Sequence, residues 1–156
     1  MAETNRVVIH FADGRLSKGT TIDFNPAQAK FHLLPTNRGP GLEVMIGALK
    51  AVFFVKTLDT QTRKPPVRRG FEAPRNVNAQ GKKIAVLFKD GELLCGYTLN
   101  YVAGREGFFM FPADPDTNNT RIFVINAAAS QVQTGPDAEA LARRIMGERR
   151  GAHVKA

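Results

Sequence analysis

The feature that most constrains this chain is a stretch that occurs twice. FADGRLSKG (Phe11 to Gly19) returns as FKDGELLCG (Phe88 to Gly96). Laid over Ile84–Pro112 at a constant offset of 77 residues, Val7–Pro35 matches at 8 of 29 positions without a gap. The identities are Phe11/Phe88, Asp13/Asp90, Gly14/Gly91, Leu16/Leu93, Gly19/Gly96, Thr21/Thr98, Phe31/Phe108 and Pro35/Pro112. They fall on turn residues and large apolar residues, the positions that define a backbone path. The chain therefore reads as a duplicated unit, Arg6–Lys56 and Lys83–Thr134.

Each unit reads as strands. Val7, Ile9 and Phe11 alternate with Val8 and His10, a period of two. Asp13-Gly14, and Asp90-Gly91 in the second copy, are expected to supply the positive backbone angles of a tight hairpin turn. The next run, Leu16 to Phe24, contains Gly19 where a bulge or sharp bend is expected, and Gly96 holds the same place later. Asn25-Pro26 breaks that strand, Phe31–Leu34 forms a third, and Leu42–Ile46 and Ala51–Val55 follow around a Gly47-Ala48-Leu49 turn. The second unit repeats the plan with Arg121–Ile125, NAAAS and Gln131–Thr134. The expected fold is mainly β: two tandem five-stranded small barrels of the SH3-like or Sm-like kind, plus one C-terminal helix. Units of about fifty residues bury only about 60% of their unfolded surface and are marginal alone. The two are expected to pack on one another, through sheet edges or through the apolar face of Phe53 or Phe54.

Four segments follow: a first barrel (6–56), a Pro- and Gly-rich connector (57–82), a second barrel (83–134) and a helix with a tail (135–156). Pro136 and Asp137 mark a helix start, with Leu141, Ala142 and Ile145 along one face and an expected end near Arg149. The formal charge of +8 is unevenly placed. Residues 1–55 carry 6 basic and 4 acidic groups, and residues 84–136 carry 3 and 5. Residues 56–83 carry 8 basic and 2 acidic, and residues 137–156 carry 5 and 3. The excess sits in the connector and the tail, so an electrostatic partner would be held there. The longest apolar runs, such as AVFFV, are far too short to cross a bilayer, and MAETNRVV lacks the apolar core of a secretory leader. The single Cys95 excludes an intrachain disulfide framework. A cytoplasmic protein without membrane partners is expected.

The phrases FHLLP, LKAVFFVK, FPADPDTNN and RIFVI resemble an uncharacterised bacterial family of tandem small β-barrel proteins. That resemblance implies a bacterial source and a non-enzymatic role. The strand layout also resembles the Sm-like fold, whose members pair through edge strands and bind RNA bases. Its base pocket uses an Asn before the third strand and an Arg-Gly before the fifth. Here those places read NPAQAK and Ile46-Gly47-Ala48, so the resemblance implies shape without the pocket. RKPPVRR ahead of the second barrel and NYVAG within it resemble PilZ, which implies cyclic di-GMP binding. The Arg spacing differs from PilZ, and the Asp and Ser of its second motif have no counterpart here.

No catalytic constellation is expected. His10 and His32 fall in strands, where packing roles predominate, and no Ser or Cys has a nucleophile motif. Cys95 reads as a packing residue, with a reactive strand-edge thiol as the other reading. DPDTNN opens like a calcium loop, but Asn119 stands for the Gly and Ile125 for the bidentate Glu, so a turn is expected and no metal. No cofactor is expected either. The candidate binding residues are Arg63, Lys64, Arg68, Arg69, Phe71, Arg75, Lys82 and Lys83. Their cations could follow a phosphate backbone, with Phe71 as the lone stacking ring. They serve equally as a solvated loop, or as a seat on an acidic protein. Two functions remain open: a non-catalytic interaction or signalling adaptor that offers sheet edges to another protein, and a weakly selective RNA or DNA binder. Edge strands also predict self-association into a homo-oligomer.

Overall fold

The alternating runs form antiparallel strands in a computed structural model that describes residues 4–58, 70–72, 81–99, 101–114 and 117–154. The first half contributes β1 (Asn5–Phe11), β2 (Leu16–Thr21), β3 (Lys30–Pro35), β4 (Leu42–Met45) and β5 (Leu49–Val55). The second contributes β6 (Lys82–Phe88), β7 (Leu93–Thr98), β8 (Gly107–Pro112), β9 (Asn119–Ile125) and β10 (Ala129–Thr134). Single 3-10 turns, Ile46–Ala48 and Asn126–Ala128, link the last two strands of each half.

The two expected barrels are not separate closed cylinders. Among the described residues the strands form one ten-stranded sheet in the order β10-β6-β7-β8-β9-β5-β1-β2-β3-β4, open at both ends. Each half runs through the same order, its last strand beside its first. The halves join because β5 pairs with β1 on one side and with β9 on the other. The strand that would have been the outer edge of the first half is thereby its seam with the second.

The hairpin turns depart from expectation in an instructive way. Only the glycines adopt left-handed backbone, Gly14 at φ +96° and Gly91 at +95°. Asp13 instead turns its carboxylate back to accept the Arg15 N–H at 3.0 Å, and Asp90 does the same for Glu92 at 3.0 Å. The loop is thus a turn closed by one αL glycine, with the Asp satisfying the next free donor. Gly19 makes no bulge, since the β1–β2 register runs through Val7↔Gly19 and Val8↔Lys18 without a shift. It is needed because β3 crosses so close that an added Cβ would lie 2.1 Å from the Leu34 carbonyl oxygen. Gly96 faces the Phe111 carbonyl oxygen at the same 2.1 Å.

Two apolar cores lie on opposite faces of the β5–β9 pair. Val52 and Phe54 of β5, with Phe123 and Ile125 of β9, join Val7, Ile9, Phe31 and Leu33. Ala51, Phe53 and Val55, with Ile122 and Val124, join Ile84, Val86, Phe88 and Phe108. Every residue of β5 is buried. The helix α1 (Pro136–Val154) runs past the expected Arg149 and lays Ala138, Leu141, Ala142 and Ile145 on Ala85 and Leu93, the outer face of β6 and β7. Asp137 and Glu139 in its first turn suit the helix dipole.

Because β5 belongs to both cores, the described halves should melt together. Phe53→Ala and Phe54→Ala should each cost about 3–5 kcal/mol in urea denaturation. Each should move a single transition, seen alike by fluorescence-detected and circular-dichroism unfolding, although the two rings serve different cores. Gly96→Ala should cost about 2 kcal/mol or more through the clash with Phe111. Gly147→Ala, with open space around it on α1, should instead add about 0.5–1 kcal/mol.

Candidate functional site

Strand order leaves β4 at one end of the sheet, paired with β3 alone among the described residues through Phe31↔Val44 and Leu33↔Leu42. Beside that free edge lies a cleft of about 410 Å³ lined by Phe11, Arg15, Leu16, Ser17, Leu42, Glu43 and Val44. Its rim carries apolar side chains that water still reaches, Leu16 at 54% and Leu42 at 40% exposure. Arg15 guards one side. Its guanidinium lies 4.7 Å over the Phe11 ring and its Nε donates to Asp13 at 2.8 Å. The outer face of β3 and β4 mixes polar pairs with the exposed Leu34 and Met45. Lys30 bonds Glu43 at 3.2 Å, and His32 Nδ1 meets Asp23 Oδ2 at 2.7 Å. The His32 bonds hold the Asp23 carboxyl below its ordinary range. This His–Asp pair is exposed, and the hydroxyl beside it, that of the buried Thr21, donates to Asp23 at 3.1 Å.

Within the seam between the halves lies a buried cation. Lys50, 8% exposed, donates to Asp90 at 2.7 Å and Glu92 at 2.5 Å, and its ammonium sits 4.7 Å over the Phe88 ring. The Lys50 hydrogen bond, followed by the Glu92 N–H, holds Asp90 well below the usual carboxylate range. His10 packs its ring 4.4 Å from Phe53, and burial, then the Lys50 charge, lowers its pKa. A cleft of about 190 Å³ opens beside Lys50, lined by Ala12, Gly47, Phe88 and Ala127 among others. The arrangement neutralises a buried charge. Among the described residues no group of three or more His, Cys, Asp or Glu side chains is placed to hold a metal ion.

The expected connector site is divided. Arg63, Lys64, Arg68, Arg69 and Arg75 lie outside the described residues. Phe71 sits in a 3-10 turn, Gly70–Glu72, half-buried against the helix cluster and edge-on to Tyr97 at 6.3 Å between centroids. Its ring is thus packed within the protein. Lys83 pairs with Glu139 of α1 and lies over the Phe71 ring, while Lys82 is exposed. Burial pushes the Cys95 thiol up to about 12, which keeps it protonated and removes the reactive-thiol reading. Of the expected DPDTNN turn, Asp114 and 117–119 are described and 115–116 are not. Sequence reasoning missed Lys50, Arg15 and the β4 edge. The one available signal was that Arg15 and Glu92 carry opposite charges at matching positions of the repeat.

Fold and site together define a mainly-β protein built on an open-ended antiparallel sheet with an uncovered terminal strand and a C-terminal helix. The chain belongs to a family of unknown function (DUF6982), whose model matches residues 3–135. No curated protein and no solved structure matches it significantly, so nothing there links the chain to Sm-like, SH3-like or PilZ proteins. Among the described residues no helix is long and apolar enough to cross a membrane.

Lys50→Met should expose the role of the seam charge. The Asp90 pKa is depressed in the folded state, so its contribution is full above the unfolded value of about 3.9 and is lost as pH falls through the folded value. Urea midpoints measured from pH 6 down to pH 2.5 should fall less steeply in the variant than in the wild type. An unchanged acid limb would show that Lys50 does not hold Asp90 ionised.

Proposed function

We propose that the protein is a non-catalytic protein-interaction adaptor, built from two copies of one small-barrel plan, of which the first copy offers its terminal strand to a partner. The observation that carries this reading is the β4 edge, unpaired beside a cleft whose apolar rim at Leu16 and Leu42 stays exposed. Support for the copied plan comes from the shared strand order and the matching close approaches at Gly19 and Gly96. An unpaired strand supplies backbone donors and acceptors that another chain can complete, and the cleft supplies pockets that select side chains.

A second reading, RNA or DNA binding through the connector, is favoured by the 8 basic and 2 acidic groups of residues 56–83. Phe71 and Lys83 are engaged within the protein, which leaves that reading to phosphate contacts by the remaining cations.

Affinity capture with and without nuclease separates the two. The adaptor retains a stoichiometric protein after nuclease treatment, and Arg68→Glu/Arg69→Glu leaves that capture intact. Recovery of nucleic acid alone, abolished by the double reversal, would overturn it. In that case neutralising about six phosphates of a single strand gives a log–log salt slope near −4.

A further inference from the structure

The free edge of β4 has an occupied counterpart inside the same molecule. The halves correspond at an offset of 77 through β3 and β8, and at 80 from β4 and β9 onward. Register confirms the match: Phe31↔Val44 and Leu33↔Leu42 in the first half correspond to Phe108↔Val124 and Met110↔Ile122 in the second. The cleft residues Phe11, Ser17, Leu42 and Val44 therefore stand where the second half has Phe88, Leu94, Ile122 and Val124. Those four hold the Ala51, Phe53 and Val55 side chains of β5, while β5 itself pairs antiparallel with β9. The second half thus shows what the cleft is shaped to take.

Differences between the two sites specify the occupant. The outer face of β8 and β9 is apolar, with Phe109, Phe123 and Ile125 packed in the first core, so β5 is apolar on both faces. The matching positions on β3 and β4 are His32, Glu43 and Met45, with the Lys30–Glu43 ion pair beside them. A strand added to β4 therefore needs apolar side chains toward the cleft and polar ones toward Glu43. Charge also differs. In the occupied site the incoming Lys50 meets Asp90, Glu92 and the Phe88 ring. In the open site Asp13 keeps the place of Asp90, while Arg15 replaces Glu92, pairs with Asp13 at 2.8 Å and covers the Phe11 ring. At the residue before the first cleft-facing side chain, an anion would complement Arg15, whereas the cation that suits the Asp90–Glu92 pair would meet it.

A second copy of this chain fits poorly. Its own terminal strand, β10, carries Gln131 and Gln133 at the positions of Ala51 and Phe53. Gln131 also accepts from Arg144 of α1, the helix that packs on β6 and β10.

We propose that the β4 edge and its cleft accept, by antiparallel strand addition, an extended segment of a partner protein in which apolar and polar residues alternate and an acidic residue faces Arg15. This rests on the adaptor reading and names the chemistry of its partner.

The test uses a fluorescein-labelled peptide LEATFTV, which is Leu49–Val55 with a Glu at the second position and Thr at the fourth and sixth, and its Lys counterpart LKATFTV. Fluorescence anisotropy with the full chain should show saturable binding of LEATFTV, about fivefold tighter than LKATFTV. Arg15→Glu, a surface change that spares both cores, should reverse that preference. Leu42→Asp should weaken both peptides at least tenfold, and hydrogen exchange across Leu42–Met45 should slow on binding. Absence of binding, or binding indifferent to Arg15→Glu and Leu42→Asp, overturns the site even where affinity capture still returns a protein partner. Peptide binding with only nucleic acid captured leaves the site standing and sinks the adaptor role instead. A concentration-dependent dimer in sedimentation that Leu42→Asp abolishes would assign the edge to a second copy and overturn the proposal.

Discussion

The pairing of β5 with β9 is the interaction on which the remaining structure depends. A strand with all of its residues buried has no solvent face, so it must separate two apolar compartments. Val52 and Phe54 look one way, and Ala51, Phe53 and Val55 the other. Neither half closes its core with its own residues. Each borrows side chains from the other across the seam, which offsets the small size of a fifty-residue unit. The buried Lys50 follows from the same arrangement. A strand driven into the neighbouring half carries one cation with it, and Asp90, Glu92 and the Phe88 ring of that half provide the partners that burial requires.

The two halves share one strand order, so the informative positions are those where they differ. The outer face of β8 and β9 is covered by the first half and has Phe109 and Phe123. The same face of β3 and β4 is uncovered and has His32 and Glu43. The outer face of β1 and β5 is covered by the second half, through Val8 and Phe53. Its counterpart on β6 and β10 has no third half to meet, and α1 lies there instead, over Ala85 and with Arg144 donating to Gln131. The helix thus acts as the cap of a two-unit array, filling the place another unit would take, much as terminal elements seal repeat proteins.

Much of this could be read from the residues. Turn glycines and alternating apolar positions placed all ten strands near their observed positions, and the Leu141, Ala142 and Ile145 stripe located the helix contact. What escaped was the closure of the sheet. Val52, Phe53 and Phe54 are consecutive apolar residues, a pattern shared by a strand inside one barrel and a strand between two cores. Only the identity of its second neighbour distinguishes these, and that neighbour, β9, lies more than sixty residues away along the chain. The Asp-Gly pair misled for a different reason. Asp13 hydrogen bonds to Arg15 from an ordinary backbone conformation, so one αL residue sufficed where two were expected. Phe71 read as a stacking ring because composition shows a lone aromatic among cations, whereas packing beneath α1 depends on a helix more than sixty residues downstream.

An exposed strand at the end of a sheet invites indiscriminate pairing, and β4 is built to limit it. It is four residues long, Glu43 sits in its middle, and the Lys30–Glu43 and His32–Asp23 pairs keep its outer face hydrated. A strand this short offers few backbone hydrogen bonds, each worth about 1 kcal/mol net. Backbone pairing alone therefore cannot hold a partner, and selectivity must come from the side chains beside the edge. Those side chains are Leu16, Leu42 and Arg15, the last standing where the sealed copy of the site has a carboxylate. Under the strand-addition proposal, the exchange of Glu92 for Arg15, with Asp13 retained beside it, is what would favour an acidic segment over a β5-like cationic one.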